Sequence, residues 1–466
     1  MADVIVIGAG ISGLTAAYAL RQAGHDVVVL DQCTVPGGRM RSERIDGFLM
    51  EYGANSMVTP APAAESLVAQ LGLEPEKVTR SAAARRRYLV RGGRMRSLPL
   101  QSYRFLLSDF FSLAGRLRML MEPFVPVQHD DETVAGFVRR RFGGELLDYV
   151  VDPLVGGLLA GDPGQLSVGA AFPRLKQLER RAGSVISGVI RSRFQRGAGP
   201  AAGDPGSRVL GSFRQGLGTL PRALARRLAG RVFPGHRVEA VHHMPGGGYR
   251  VKVRRGSLAQ WAAADSVIVA LPAYAAAAIL CSLDQRIGEA LAEIPHPPLA
   301  VVFLGYRAQS IAHPLDGVGV LAPAVEARSA LGMLFSSTLF AGRAPPGHVA
   351  LTAFIGGARQ PHLARLEPEE LAALAHSEVR QLLGGRAAPL LARTHCWRHG
   401  LPQPGLGHAQ RIDGITARAA EHAGLFLTGN YFSGISTAAC VQQALDTAQR
   451  VARHLAARSA RGRLIA

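Results

Sequence analysis

Apolar residues gather in short runs that stop at turn residues: ADVIVI ends at Gly8, HDVVVLD at Asp31, ADSVIVALPAY turns at Pro272, and GLFLTGNYFSG turns after its apolar start. Unbroken apolar runs of this length, bounded by turn signals, predict strands buried on both faces. GHRVEAV (Gly235 to Val241) predicts a further strand. A small-residue helix follows the first strand, and STAACVQQALDTAQRVARHL predicts an amphipathic helix with Val441, Ala444, Leu445 and Ala448 on its apolar face. Ser436 or Thr437 is placed to cap it. Leu98 to Phe124 is strongly apolar but interrupted by Arg104, Asp109, Arg116 and Arg118. It predicts either a buried helix pair or a surface that dips into a bilayer interface. RSRFQRGAGPAAGDPGSRVL, rich in Gly, Ala, Pro and Arg, predicts a flexible linker.

The first strand runs into Gly8, Gly10 and Gly13, spaced GxGxxG. In a dinucleotide-binding turn these glycines have separate roles: the first allows the tight turn, the second lets backbone approach a pyrophosphate, and the third lets helix pack close to strand. The helix start, at Ile11 and Ser12, presents unpaired N–H groups and positive dipole to the anion. Asp31 ends the second strand about 20 residues on, placed to accept a ribose hydroxyl.

Length and composition add limits. A chain of 466 residues calls for two domains, and 48% hydrophobic content with a mean hydropathy of +0.12 gives ample core material. The net charge of +19 rests almost wholly on arginine, since lysine occurs only at 77, 176 and 252. Such a surface favours anionic ligands or an anionic membrane. No recognition module argues for nucleic acid. Cys33, Cys281, Cys396 and Cys440 are scattered without CxxC or zinc spacing, so reduced thiols and no metal site are expected. The first strand starts too early to leave room for a signal peptide, and no apolar run suffices for a transmembrane helix. The expected location is cytoplasmic, with a peripheral membrane surface left open.

After Asp31, a nicotinamide-binding unit would continue with another helix. Here Gly37, Gly38 and Arg39 form a turn that folds back, followed by a hairpin around Asp46–Gly47 and a strand into Glu51. A guanidinium beside a cofactor phosphate or ribityl chain is chemically apt, and the arrangement points to FAD. At the far end, Gly429, Asn430, Gly434, Ile435 and Ser436 lead into the last helix, whose N-terminus would stabilise negative charge on a reduced flavin.

These residues carry a resemblance to the FAD-dependent protoporphyrinogen oxidases, within the flavin amine oxidase and phytoene desaturase superfamily. The supporting segments span nearly the whole chain: Phe137 to Pro173, GSFRQGLGTLP, SSTLFAGRAPPGHVALTAFIGGARQP and WRHGLPQPGLGH. The resemblance implies an oxidase that aromatises a porphyrinogen by repeated hydride transfer, with molecular oxygen as terminal acceptor and no acid or base residue required. It implies cofactor contacts at Gly53, Ala54, Asn55, Val238 and Trp397, and a propionate-gripping arginine at Arg87, with Arg85 and Arg86 as neighbours in register. It also implies that Leu321 and Phe340 sandwich pyrrole rings. Gly53–Ala54–Asn55–Ser56 departs from the family's Gly-Pro-Asn-Ser, and Ile435 to Ala439 departs near the flavin.

The expected fold is an α/β FAD-binding domain built from residues 1–80, 206–275 and 401–466, with a helical insert at 81–205 that contacts either substrate or membrane, and a mixed-sheet substrate domain at 276–400. Alternatives are coproporphyrinogen III oxidation, a flavin amine oxidase or carotenoid-type desaturase, and a non-catalytic FAD protein. None of the three lysines occupies the late-sheet position expected of an amine oxidase, and no second GxGxxG supports a pyridine-nucleotide reductase. A homodimer stays open.

Overall fold

Apolar runs from both ends of the chain meet in one sheet. The computed structural model describes residues 2–99, 105, 108–195 and 209–465. Ala2–Ile7 lies between Val27–Asp31 and the second half of Leu258–Val269, all parallel. Val232–Pro234 and Leu425–Leu427 extend the parallel sheet on either side. Arg237–His243 and Tyr249–Arg255 continue it antiparallel from the first half of Leu258–Val269.

The alternating side chains explain why distant segments are needed. Val4, Val6, Val27, Val29 and Ile268 face one side and Ile5, Ile7, Val267 and Val269 the other, none more than 2% exposed. Both faces therefore require helices. Ile11–Gln22 and Thr437–Ile465 pack side by side over the first face. Ala273–Leu280, Gln285–Ala292 and His408–Glu421 cover the second.

A second seven-stranded sheet runs Leu391–Trp397, Leu299–Arg307, His348–Gly356, Ala330–Leu334, Gly317–Leu321, Arg86–Arg91 and Arg94–Ser97. It is antiparallel except where Arg86–Arg91 pairs parallel with Gly317–Leu321. The Arg86–Ser97 hairpin thus sits in the sheet of the 276–400 segment, although sequence order groups it with the helical insert. Its partner strand lies too far along the chain for local pattern to reveal.

The insert proper begins after that hairpin. Ser112, Thr133 and Ser167 cap its helices at Leu113–Leu120, Val134–Phe142 and Val168–Ala171. Inside it, Arg141 and Glu122, both wholly buried, pair at 2.6 Å, and Arg141 also holds Glu179 at 2.8 Å. Lys176 and Arg140 add Glu132 and further contacts to Glu179. The expected linker is corrected at both ends: the helix Val185–Gln195 takes in its start, and Val209–Phe213 is a strand between Met57–Thr59 and Lys77–Thr79. Residues 196–208 lie outside the described residues. Leu98–Phe124 is part buried and part exposed: Leu98, Phe110, Phe111 and Met119 are buried, whereas Leu113 and Phe124 are 71% and 78% exposed. Residues 100–104, 106 and 107, with Arg104 among them, are outside the description.

Candidate functional site

The parallel strands deliver Gly8, Asp31, Ala270 and Gly429 to one crevice at their carboxyl ends, where open α/β sheets bind ligands. The three glycines of the first turn differ in their surroundings. Gly8 has φ +107°, and a Cβ there would stand 2.6 Å from the Ala270 carbonyl oxygen. At Gly13 a Cβ would lie 1.9 Å from the Gly8 oxygen, so strand, turn and helix fit only without one. A Cβ at Gly10 would meet nothing within 4 Å. The helix that follows has Gly10 as its N-cap, no side-chain cap and no acidic residue in its first turn, so its N–H groups are free for an anion.

The fold-back turn docks against this cradle. Gly37 N–H donates to the Ala9 oxygen at 2.8 Å, and a Cβ on Gly38 would meet the Gly10 Cα at 3.3 Å. Asp31 accepts from Ala9 N–H at 2.5 Å and from Cys33 N–H at 2.7 Å, one on each oxygen. Carboxylate lone pairs remain for a ribose hydroxyl. Val238 lies at a register shift in its strand and is buried in the core beside Leu30. At the other end of the chain, Ser436 caps the last helix by accepting from Ala439 N–H at 3.1 Å. That helix start touches the fold-back turn, where the Thr437 hydroxyl meets the Met40 sulfur at 3.9 Å. Gly429 turns with Tyr431 and Leu271 where a Cβ would be, and Ile435 and Ser436 follow Gly434 at φ +122°.

Arg39 points along the crevice. Its guanidinium lies 5.1 Å from the Trp397 ring centre and donates to the His399 oxygen. Burial lowers its pKa, and Tyr274 opposes that shift. Trp397 Nε1–H donates to the Tyr52 oxygen at 2.8 Å, so the indole borders Gly53, Ala54 and Asn55. Trp397 ends the strand Leu391–Trp397. Sequence reasoning passed over Tyr274 and His399, which stack at 4.1 Å beside Arg39.

The residues present fit a dinucleotide: the cradle is open at Gly10 and closed at Gly8 and Gly13. A family model, flavin containing amine oxidoreductase, matches residues 11–456. The chain belongs to that family. Among its relatives, mitochondrial protoporphyrinogen oxidase of Nicotiana tabacum is 32% identical, the match covering 97% of this chain and 95% of the relative. Chloroplastic protoporphyrinogen oxidase 1 of Spinacia oleracea is 30% identical over 96% of this chain and 84% of its own. Coproporphyrinogen III oxidase of Bacillus subtilis is 26% identical over 94% and 96%. A solved structure from Exiguobacterium sp. 255-15 shares the fold with TM-score 0.81 at 23% identity, covering 96% of this chain and 98% of its own. Reduced UDP-galactopyranose mutase does so at TM-score 0.75 and 15% identity, with 97% and 95% covered.

In this flavoprotein the second sheet presents the substrate candidates. Arg87 and Leu89 share a face of their strand, and Leu89 lies in register with Leu321. Arg87 and Leu321 therefore look to the same side. The three adjacent arginines part company: Arg85 Nε donates to the Ala82 oxygen at 3.0 Å, and Arg86 pairs with Asp316 at 3.1 Å. Among the described residues no hydrogen bond or ion pair engages the exposed Arg87 guanidinium. Desolvation, then the neighbouring Arg80 charge, lower its pKa. Leu321 occupies room left by two glycines, since a Cβ on Gly157 would stand 2.4 Å and on Gly332 2.8 Å from its Cδ2.

Phe340 ends the short helix Ser336–Leu339 and packs with Ala84 and Leu339 in a cluster separate from that of Leu321. Behind it lie two charged residues that sequence reasoning left unassigned. Arg343 is 2% exposed, 5.3 Å from the Phe340 ring centre and 3.5 Å from Glu51. Glu51 accepts from the Ser42 hydroxyl at 2.5 Å and from Leu217 N–H at 2.9 Å. Burial raises its pKa to about 7, against the pull of Arg343, Ser42 and Leu217. The available signal was an acid closing FLME, a strand otherwise wholly apolar and buried throughout.

Proposed function

We propose that the chain is an FAD-dependent oxidase that converts protoporphyrinogen IX to protoporphyrin IX. The observation that carries this reading is the 30–32% identity, over nearly its whole length, to protoporphyrinogen oxidases. Bound in the crevice, FAD would supply a two-electron acceptor. The chain's part is then to hold and orient. Each of three steps removes a hydride from a saturated bridge carbon together with a proton; two of the three protons leave pyrrole nitrogens and the third leaves the remaining bridge carbon, which gives the aromatic porphyrin. Molecular oxygen, taking two electrons and two protons per step, leaves as hydrogen peroxide.

Gly8, Gly10, Gly13, Ile11 and Ser12 would hold the pyrophosphate, and Asp31 the ribose. Gly53, Ala54, Asn55, Trp397 and the Gly429–Ser436 turn would frame the reacting end, where the last helix's N-terminus favours developing negative charge. Arg87 is the propionate grip: it is the member of the arginine triplet without a partner among the described residues, and its fork suits a carboxylate. Leu321 and Phe340 would give apolar walls that offer no competing hydrogen bonds.

The protein is also proposed to rest on an anionic membrane surface. Leu113, Leu117, Leu120, Met121 and Phe124 are all more than half exposed on and just after one helix of the insert, and the chain carries +19. No helix among the described residues is long and apolar enough to cross a membrane.

Anaerobic bleaching of the flavin with protoporphyrinogen IX and coproporphyrinogen III, side by side, tests the reading. Faster bleaching by protoporphyrinogen is expected. Bleaching by coproporphyrinogen alone transfers the activity to that substrate, and bleaching by neither leaves a flavoprotein without this activity.

A further inference from the structure

The cavity behind Phe340 belongs to neither the cofactor cradle nor the Arg87 face. It measures about 10 Å³, room for a single water, and its lining includes Glu51, Asn55, Phe340, Arg343, Ser336 and Thr352. Arg343 is the pivot. Its Nη2 donates to the Ser212 hydroxyl at 2.6 Å and lies 3.5 Å from Glu51, while its buried Nη1 has no partner among the described residues. A buried donor without an acceptor is costly, and a water in the adjoining cavity would relieve that cost. The Ser336 and Thr352 hydroxyls, 2.9 Å apart, bond each other on its wall.

We propose that Glu51 and Arg343 act as a positioning pair for the tetrapyrrole, bracing from behind the wall made by Phe340 and Asn55, with one water in the cavity completing the Arg343 hydrogen bonds. Phe340 stands against the guanidinium face, and Asn55 lies across the cavity, its Nδ2 donating back to the Gly53 oxygen at 2.8 Å. The pair bridges strand Phe48–Glu51, next to the cofactor turn, and the loop that follows Phe340. It therefore ties the reacting end of the cofactor site to the substrate wall. The inference rests on the porphyrinogen reading above.

Ionisation of Glu51 sets the strength of the brace. The charged groups around it are Arg343 and, on the Thr219–Arg227 helix, Arg222; Arg44 is the other charge acting on Arg343. Ser42 and Leu217 donate to the carboxylate from the remaining sides. Because the raised pKa lies at about 7, the carboxylate that pairs with Arg343 is present above pH 7 and is lost as pH falls through that value. Porphyrin affinity is expected to weaken over the same interval.

The test titrates FAD-loaded wild type, Glu51→Gln, Arg343→Met and Arg343→Lys with protoporphyrin IX and coproporphyrin III between pH 6 and 8.5, following porphyrin absorbance. Wild type should lose affinity several-fold on going below pH 7, and Glu51→Gln should show no such slope. Arg343→Met should bind about tenfold more weakly at pH 8, the order of a desolvated cation–π contact, and Arg343→Lys should recover part of the loss. Equal binding by wild type and Arg343→Met, or an unchanged pH slope in Glu51→Gln, overturns the proposal while leaving the porphyrinogen reading intact. If Arg343→Met does not fold, Glu51→Gln and Arg343→Lys carry the test. Failure of wild type to bind either porphyrin overturns both.

Discussion

Replacing Gly10 and Gly13 separately by alanine divides cofactor binding from folding. At Gly10 the backbone has φ −75° and ψ 177°, a conformation any residue adopts, and the added methyl meets no protein atom within 4 Å. The stability of the FAD-free protein should change by no more than about 1 kcal/mol, the difference between a modest loss at the helix cap and a gain from a less flexible unfolded chain. The methyl instead occupies the space through which the pyrophosphate approaches. At Gly13 the methyl would stand 1.9 Å from the Gly8 oxygen, so the helix must retreat more than 1 Å to relieve the contact. Overpacking of this kind costs about 1–3 kcal/mol or more, and it falls on the FAD-free protein too. The assay is thermal unfolding with and without FAD. Wild type should gain about 4 kcal/mol when FAD is a thousandfold above its Kd. Gly10→Ala should keep the FAD-free midpoint and lose the FAD-dependent rise, whereas Gly13→Ala should lower the FAD-free midpoint itself. A Gly10→Ala protein that still rises with FAD as wild type does would refute the assignment of Gly10 to the pyrophosphate.

Further tests address other parts of the molecule. Arg87→Ala should weaken porphyrin binding about tenfold, the scale of a charge-assisted hydrogen bond, with flavin reduction at saturating substrate unchanged. Arg86→Ala should leave binding near wild type because Arg86 already pairs with Asp316, and the reverse ranking by titration would exchange their roles. Arg141→Met should cost about 3–5 kcal/mol in urea unfolding, since it removes the cation paired with the wholly buried Glu122 and one of the three paired with Glu179. Burial alone would raise the Glu179 pKa, but Arg140, Lys176 and Arg141 bring it down to about 2. Its contribution to stability is therefore full above about pH 4.3 and should vanish as pH falls toward 2, which acid unfolding of wild type and Glu179→Gln can read. Leu117→Glu with Phe124→Asp should cut flotation on anionic vesicles at least about tenfold, given roughly 1.5–3 kcal/mol per buried apolar side chain. Absence of wild-type flotation at both low and high salt removes the membrane surface.

The local signals of the sequence are short-range ones, and they transferred well. Gly8, Gly10 and Gly13 are legible because each fills a different backbone requirement within a single turn. The Asp46–Gly47 hairpin, with both residues at positive φ, is legible because its turn chemistry is contiguous. The Ser436 cap is set by a contact three residues long. Buried apolar runs likewise announced the parallel strands, and the likeness along the chain announced the family.

Tertiary structure alone decided what depends on strand register and on which polar groups lose water. It assigned Arg86 to Asp316 and, among the described residues, gave the Arg87 guanidinium no partner, a choice that a run of three like residues cannot make. It placed the Arg86–Ser97 hairpin in the second sheet through pairing with a strand more than two hundred residues later. It put Phe340 at a helix end and set Arg343 and Glu51 behind it. Turns and apolar runs are governed by neighbours in sequence, whereas burial of a charge is governed by neighbours in space, so only the folded chain could reveal the second.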